Sequence, residues 1–262
     1  MMVGRVVYED PKQKSNVPAD APIVLSVKNL NAGKLVKDIS FDLRRGEILG
    51  FSGLMGAGRT ETARAIFGAD PIDSGEIYVN GTKIEIKTPQ DAVNAGIGYL
   101  SEDRKRFGII VEKSVAENST MATLENFTKG LFIDKKKEKT ESELYAAKLK
   151  TKTPTVETAV VNLSGGNQQK VVIAKWLVRN CDILIFDEPT RGIDVGAKSE
   201  IYHLMNELAA QGKSIIMISS ELPEILRMSD RIVVMCEGRK TGELSIEEAS
   251  QASIMDAATL RN

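Results

Sequence analysis

One stretch constrains the fold of this chain more than any other. Gly53-Leu54-Met55-Gly56-Ala57-Gly58-Arg59-Thr60 lies between a short apolar run and a helix pattern. Upstream, Ile48-Leu49-Gly50-Phe51 reads as a buried strand, and downstream Thr60 to Phe67 reads as a helix. Gly53, Gly56 and Gly58 let successive backbone N–H groups close around phosphate oxygens. The helix N-terminus that follows also favours an anion. The stretch fits the phosphate-cradling template G-x-x-x-x-G-K-S/T, except that Arg59 stands in the lysine position. Thr60 offers Mg²⁺ a hydroxyl ligand. Arg59 keeps the positive charge, but as a broad planar fork rather than a compact ammonium. Glu61 suits the helix dipole yet repels a bound nucleotide. Taken alone, with its lysine missing, the loop reads as readily as a Gly-rich turn with no ligand. The context downstream reverses that.

Residues 1–22 mix charge with Pro11, Pro18 and Pro22 and read as a linker or tail. Strand-like runs follow at Ile23 to Val27 and Leu35 to Leu43. Ser74 to Ile86 reads as a hairpin with Asn80-Gly81 at its tip. Residues 103–160 are polar and weakly patterned, and the lysine-rich run Asp134 to Lys139 reads as a solvated face. Strong signals return with a helix from Asn167 to Val178 and a buried strand at Ile183 to Phe186. Helix and strand then alternate: a helix from Ala197 to Ala210, a strand from Ser214 to Ile218, a helix near Pro223 and a strand from Arg231 to Met235. That alternation predicts an α/β fold with a mainly parallel sheet covered by helices. Residues 248–262 read as a C-terminal tail.

A formal net charge of -1 leaves no basic excess for electrostatic binding of nucleic acid. No apolar run approaches the ~20 residues that span a bilayer, and no signal-peptide pattern opens the chain, so a membrane role is expected through a partner. Cys181 and Cys236 lack metal-ligand or C-x-x-C spacing and read as reduced packing residues.

Two further motifs carry chemistry. Ile183-Leu184-Ile185-Phe186 ends in Asp187-Glu188. Asp187 suits Mg²⁺ coordination at a strand's end, and Glu188 suits a general base on the attacking water. Leu163-Ser164-Gly165-Gly166-Asn167 places Ser164 and two glycine N–H groups at a helix N-terminus, a second anion site. Here the sequence resembles the ATP-binding-cassette (ABC) family, whose signature motif is LSGGQ-like and precedes an acidic strand of this kind. The resemblance covers about Ile23 to Glu243. It implies a P-loop NTPase fold with an N-terminal antiparallel β subdomain and an inserted helical subdomain. The core would take residues 23–102 and 161–247, and the helical subdomain residues 103–160. It also implies ATP and Mg²⁺ as ligands. Gly53, Gly56, Gly58, Arg59, Thr60, Glu102, Asp187 and Ser220 would line the nucleotide site, with Thr60 and Asp187 on the metal. Ser164, Gly165, Gly166 and Asn167 would close over a partner's ATP, and Asp194 would lie in the loop that meets the opposite domain.

Four departures from the family's pattern share a direction. Arg59 replaces lysine, Glu102 replaces the loop glutamine, and Ser220 replaces the switch histidine. The aromatic expected near Asn31 to Lys34 to stack on adenine is absent. His203, mid-helix, reads as a surface residue. The chain's own site looks weakened while its signature is intact. That asymmetry, with Glu102-Asp103-Arg104-Lys105 and Glu188 to Ala197, resembles the second cassette of tandem monosaccharide-import ATPases. The resemblance implies a first cassette on the same polypeptide or a second copy, two permease subunits, and indirectly a periplasmic sugar-binding protein. It also implies a peripheral location on the cytoplasmic face of the bacterial inner membrane. Met2-Val3-Gly4-Arg5 looks like the end of a preceding cassette. A nucleoside or purine importer cassette and a non-hydrolysing regulatory module are the competing readings.

Overall fold

The computed structural model describes residues 11–260. The chain opens with β1 (Ile23–Ala32), β2 (Val36–Arg44) and β3 (Ile48–Gly53), followed by α1 (Arg59–Ile66). A hairpin of β4 (Ser74–Val79) and β5 (Thr82–Ile84) leads to α2 (Pro89–Asn94) and β6 (Ile97–Leu100). Then come α3 (Val115–Thr120), a small hairpin of β7 (Thr128–Lys129) and β8 (Phe132–Ile133), α4 (Lys135–Lys148) and α5 (Gly165–Val178). Strand and helix then alternate through β9 (Ile183–Asp187), α6 (Val195–Ala210), β10 (Ser214–Ile218), α7 (Leu222–Met228) and β11 (Arg231–Cys236). The edge strand β12 (Arg239–Ser245) and α8 (Gln251–Ala258) close the described chain.

The central sheet runs β12-β11-β3-β10-β9-β6. Its strands are parallel except β12, which pairs antiparallel with β11. Every residue of β9 and β10 is buried, as continuous apolar strands covered on both faces must be. Parallel strands bring their C-terminal ends to one edge, so the loops after β3, β6, β9 and β10 gather there. A second, antiparallel sheet runs β2-β1-β4-β5. At the tip of its β4–β5 hairpin both Asn80 (φ 49°) and Gly81 (φ 77°) are left-handed, the conformation a two-residue type I′ turn requires.

Two regions differ from the expectation, and residues 12–22 are tied to the body. The Lys12 N–H donates to the Leu226 carbonyl, and Lys12 Nζ, Ser15 Oγ and the Asn16 N–H all converge on Asp230 Oδ1. Arg44 donates to the carbonyls of Ala19 and Ala21. Polar anchoring of this kind leaves no hydrophobic period to read. Met2-Val3-Gly4-Arg5 lies outside the described residues. The expected C-terminal tail contains α8, started by a Ser250–Ser253 capping box and seated through Ile254, Ala257 and Ala258. In the lysine-rich run, Glu138 is buried rather than solvated. It accepts from Thr120 Oγ1 at 3.0 Å and from Lys135 at 2.8 Å.

Candidate functional site

The gathered loops enclose a cavity of about 860 Å³, lined by residues 52–61 together with Glu102, Glu188, Arg191, Ser220 and the α8 residues Ile254 and Met255. The loop from Gly53 to Gly58 turns tightly into α1. At Gly58 (φ 96°) a Cβ would stand 2.0 Å from the Leu35 carbonyl oxygen, so no larger residue fits without moving the backbone.

Asp187, at the end of β9, is fully buried. Its Oδ1 accepts from Thr60 Oγ1 at 3.1 Å and its Oδ2 from Tyr99 OH at 2.8 Å. Burial pushes the Asp187 carboxyl above its ordinary range, while these two hydrogen bonds and Arg59 pull it back. A carboxylate beside a hydroxyl at a helix N-terminus suits Mg²⁺, which keeps waters and takes its other ligands from phosphates.

Glu188 follows in the left-handed region (φ 49°), its N–H donating to the Ile218 carbonyl at 2.9 Å. Its Oε2 accepts from Ser220 Oγ at 3.1 Å. Burial raises its pKa; Arg59 and the Ser220 bond oppose that. Arg59 itself reaches to the end of β10, where Nη1 donates to the Ser219 carbonyl at 2.6 Å. Burial lowers the guanidinium's pKa, against the pull of the Glu188, Asp187 and Glu61 carboxylates around it. The charge that would meet phosphate is therefore anchored on the protein's own backbone.

Glu102 lines the cavity and pairs with Arg191. Arg104, two residues on, donates to the Arg191 carbonyl at 3.2 Å and lies against Gly165. The signature stretch forms the start of α5. Ser164 occupies the N-cap position, but its hydroxyl does not cap the helix. Ser164 Oγ accepts instead from Asn167 Nδ2 at 2.9 Å, and Asn167 Oδ1 accepts from the Lys152 N–H at 2.8 Å. Among the described residues, no side chain accepts from the first-turn N–H groups of α5. Gly166 packs on α6, where a Cβ would stand 2.7 Å from Ala197 Cβ. None of Ser164 to Asn167 lines the cavity of the phosphate loop. Asp194 caps α6, its Oδ1 accepting from the Ala197 N–H at 3.0 Å. His203 is exposed and pairs with Glu207 at 3.3 Å.

Three contributors escaped the sequence reading. Tyr99 sits in an apolar strand, and only the tertiary structure turns its hydroxyl onto Asp187. Arg191 gains its role from Glu102, far off in the chain. Glu224 is the third: buried, it accepts from Thr190 and Tyr202, from Ser219 Oγ at 2.7 Å, and from Lys198 at 3.3 Å. It ties the loop after β9 to the loop after β10. No spacing rule in a single sequence reports such a convergence.

A strand-to-helix phosphate loop at the edge of a parallel sheet, with a carboxylate at the end of β9 hydrogen-bonded to its threonine, defines a P-loop nucleotide-binding protein. The family model described as ABC transporter matches residues 36–191, and the chain belongs to that family. It is 57% identical over 262 residues to a Burkholderia ambifaria protein bearing the name ribose/galactose/methyl galactoside import ATP-binding protein 3. That match covers 100% of this chain and 51% of the relative. It is 54% identical over 259 residues to the ribose import ATP-binding protein of Clostridium perfringens, covering 98% of this chain and 51% of the relative. The chain thus spans about half the length of the curated relatives it matches. Among solved structures, the ADP conformation of an ATP-binding cassette of an ABC transporter superposes with a TM-score of 0.75 at 22% identity, over 90% of this chain and 98% of that one. A dimeric post-hydrolysis cassette bound to ADP and Pi gives 0.71 at 21% identity, over 85% and 98%. These likenesses establish the fold.

Proposed function

We propose that the chain is one nucleotide-binding cassette of a bacterial importer in which ATP binding and hydrolysis drive uptake of a monosaccharide. In this reading it lends its signature to a partner cassette while its own phosphate site is degenerate. The observation that carries the reading is the contrast between Arg59, held on the Ser219 carbonyl, and the N-terminus of α5, whose first-turn N–H groups lack a side-chain acceptor. The import names of its relatives support the substrate class.

The residues assign the work as follows. The backbone of residues 53–58 and the start of α1 bind phosphate, and Thr60 and Asp187 would hold Mg²⁺, which would supply charge neutralisation at the phosphates. Glu188 is the candidate base, but here its carboxylate is held by Ser220 and faces an arginine in place of the usual lysine. Ser164 and the N–H groups of Gly165, Gly166 and Asn167 complete the site of the partner cassette, and Asp194 lies at that junction. The partner is a first cassette of the same polypeptide or a second copy. Two permease subunits serve the pair of cassettes, one of them docking on this chain in the groove beside Glu102. The assembly sits on the cytoplasmic face of the inner membrane, with a periplasmic binding protein delivering sugar.

Calorimetry of Mg²⁺–ATP with the 262-residue chain, beside Arg59→Lys, tests the central point. Weak binding by the parent and tight binding by the variant are expected, with negligible hydrolysis by the parent. Sustained turnover by the parent at low protein concentration would overturn the degenerate-site reading.

A further inference from the structure

The β7–β8 hairpin takes no part in the nucleotide chemistry, yet it breaks the ordinary pattern of a solvated surface. Its strands are two residues each, joined through Gly130 in the left-handed conformation (φ 61°). At the turn stand Leu131, 98% exposed, and Phe132, 78% exposed. Two adjacent large apolar side chains held almost wholly in water are costly unless something covers them.

The surroundings say what that cover is. From Thr128 to Lys139 the chain carries Lys129, Lys135, Lys136, Lys137 and Lys139 against two carboxylates. One of those, Glu138, is buried and turned inward. The other, Asp134, caps α4 and pairs with Lys129 at 2.7 Å. All five lysines are exposed, but Lys135 pairs with Glu138 at 2.8 Å and Lys139 with Glu157 at 2.6 Å. Lys136 and Lys137 have no ion pair among the described residues, and these two leave the segment locally cationic. Its hairpin is closed by the Thr128–Ile133 and Lys129–Phe132 pairs and tied at its base by the Asp134 N–H to the Phe127 carbonyl at 2.7 Å. An apolar tip on a firm base, with Lys136 and Lys137 in the adjoining first turn of α4, matches the layering of an anionic bilayer surface, with phosphates outside and acyl chains beneath. A protruding tip of this kind enters a soft interface, whereas a rigid protein partner would need a matching socket.

We infer that the tip Leu131-Phe132 and the surrounding lysines form a contact for anionic phospholipid headgroups. The contact would seat this subdomain against the membrane surface. It is independent of the nucleotide reading, since none of these residues lines the phosphate-loop cavity. Two apolar side chains and a few lysines make it weak and reversible, fit to orient a chain already held by other partners.

Vesicle co-sedimentation of the 262-residue chain tests it, using phosphatidylcholine alone and phosphatidylcholine with about one third phosphatidylglycerol. The bound fraction should rise with the anionic lipid and fall with added salt. The partition coefficient should drop about fivefold on removing a single lysine charge near the surface, as in Lys136→Ala. The double variant Leu131→Asp, Phe132→Asp should abolish binding with its thermal unfolding unchanged. As a second readout, Leu131→Trp should shift its emission to the blue with anionic vesicles and not with neutral ones. Equal binding to both lipids, no binding to either at low salt, or binding untouched by the double variant would overturn the membrane assignment and leave the tip to a protein partner.

Discussion

The two anion-ready helix ends of this cassette are built alike and finished differently. At the start of α1, the side chains that would serve phosphate are already engaged with one another. Arg59 is on the Ser219 carbonyl, Thr60 and Tyr99 are on Asp187, and Ser220 is on Glu188. At the start of α5, Ser164 and Asn167 bond each other and leave the backbone N–H groups to an outside acceptor. A self-satisfied site must break internal hydrogen bonds before it can bind, which subtracts from affinity. A site that leaves donors facing water loses little when a phosphate replaces that water. The difference teaches that two helix ends of one chemistry are set apart by what neighbouring side chains do.

The comparison can be broken or sharpened by experiment, beginning with the backbone. Gly58→Ala forces a Cβ against the Leu35 carbonyl at a left-handed φ, and about 3 kcal/mol of stability should be lost in urea unfolding. At the other helix end, Gly166→Ala meets the rigid Ala197 Cβ at an ordinary helical φ, so α6 must shift and the loss should be about 2 kcal/mol, with nucleotide binding by this chain unchanged. Equal losses would erase the contrast.

Next in size is Glu224→Ala, which strips the shared acceptor from Thr190, Tyr202 and Ser219 and leaves Lys198 with Glu221 alone. About 2–3 kcal/mol should go, and amide exchange should quicken in the loops after β9 and β10 but not at the start of α5. Arg59→Lys should tighten Mg²⁺–ATP binding about tenfold, near 1.4 kcal/mol, by calorimetry. Ser164→Ala should leave that affinity unchanged.

The smallest effect is a pH dependence. Burial raises the Asp187 carboxyl above 3.8, so above that pH the folded chain holds more proton there than the unfolded chain. Stability contributed by this group is therefore present at low pH and lost as pH rises through the folded value. Asp187→Asn removes that loss. Its unfolding temperature relative to the parent should climb as pH rises from 3.8 through the folded value, while Mg²⁺–nucleotide binding disappears. A flat difference would mean that the Thr60 and Tyr99 hydrogen bonds fully offset the desolvation.

Much of the architecture was legible because it rests on local rules. The strand–loop–helix at 48–67, the hairpin turned at Asn80-Gly81, and the alternation from Leu163 onward each carry a period or a turn residue. The loop glycines, Asp187, Glu188 and Ser164 to Asn167 stood out for the same reason, since their chemistry depends on neighbours in sequence. The order of residues 12–22 and the helix α8 are not legible in the sequence, because polar anchoring on Asp230 and a short amphipathic turn leave almost no periodic trace. Hydrogen-bond partners far apart in the chain leave none. That Tyr99 and Thr60 share Asp187, that Arg59 spends its guanidinium on Ser219, and that Glu224 gathers three hydroxyls were decided when parallel strands brought four loops to one edge. Spacing along the chain determined which residues could act; three-dimensional packing decided which of them face a ligand and which face each other.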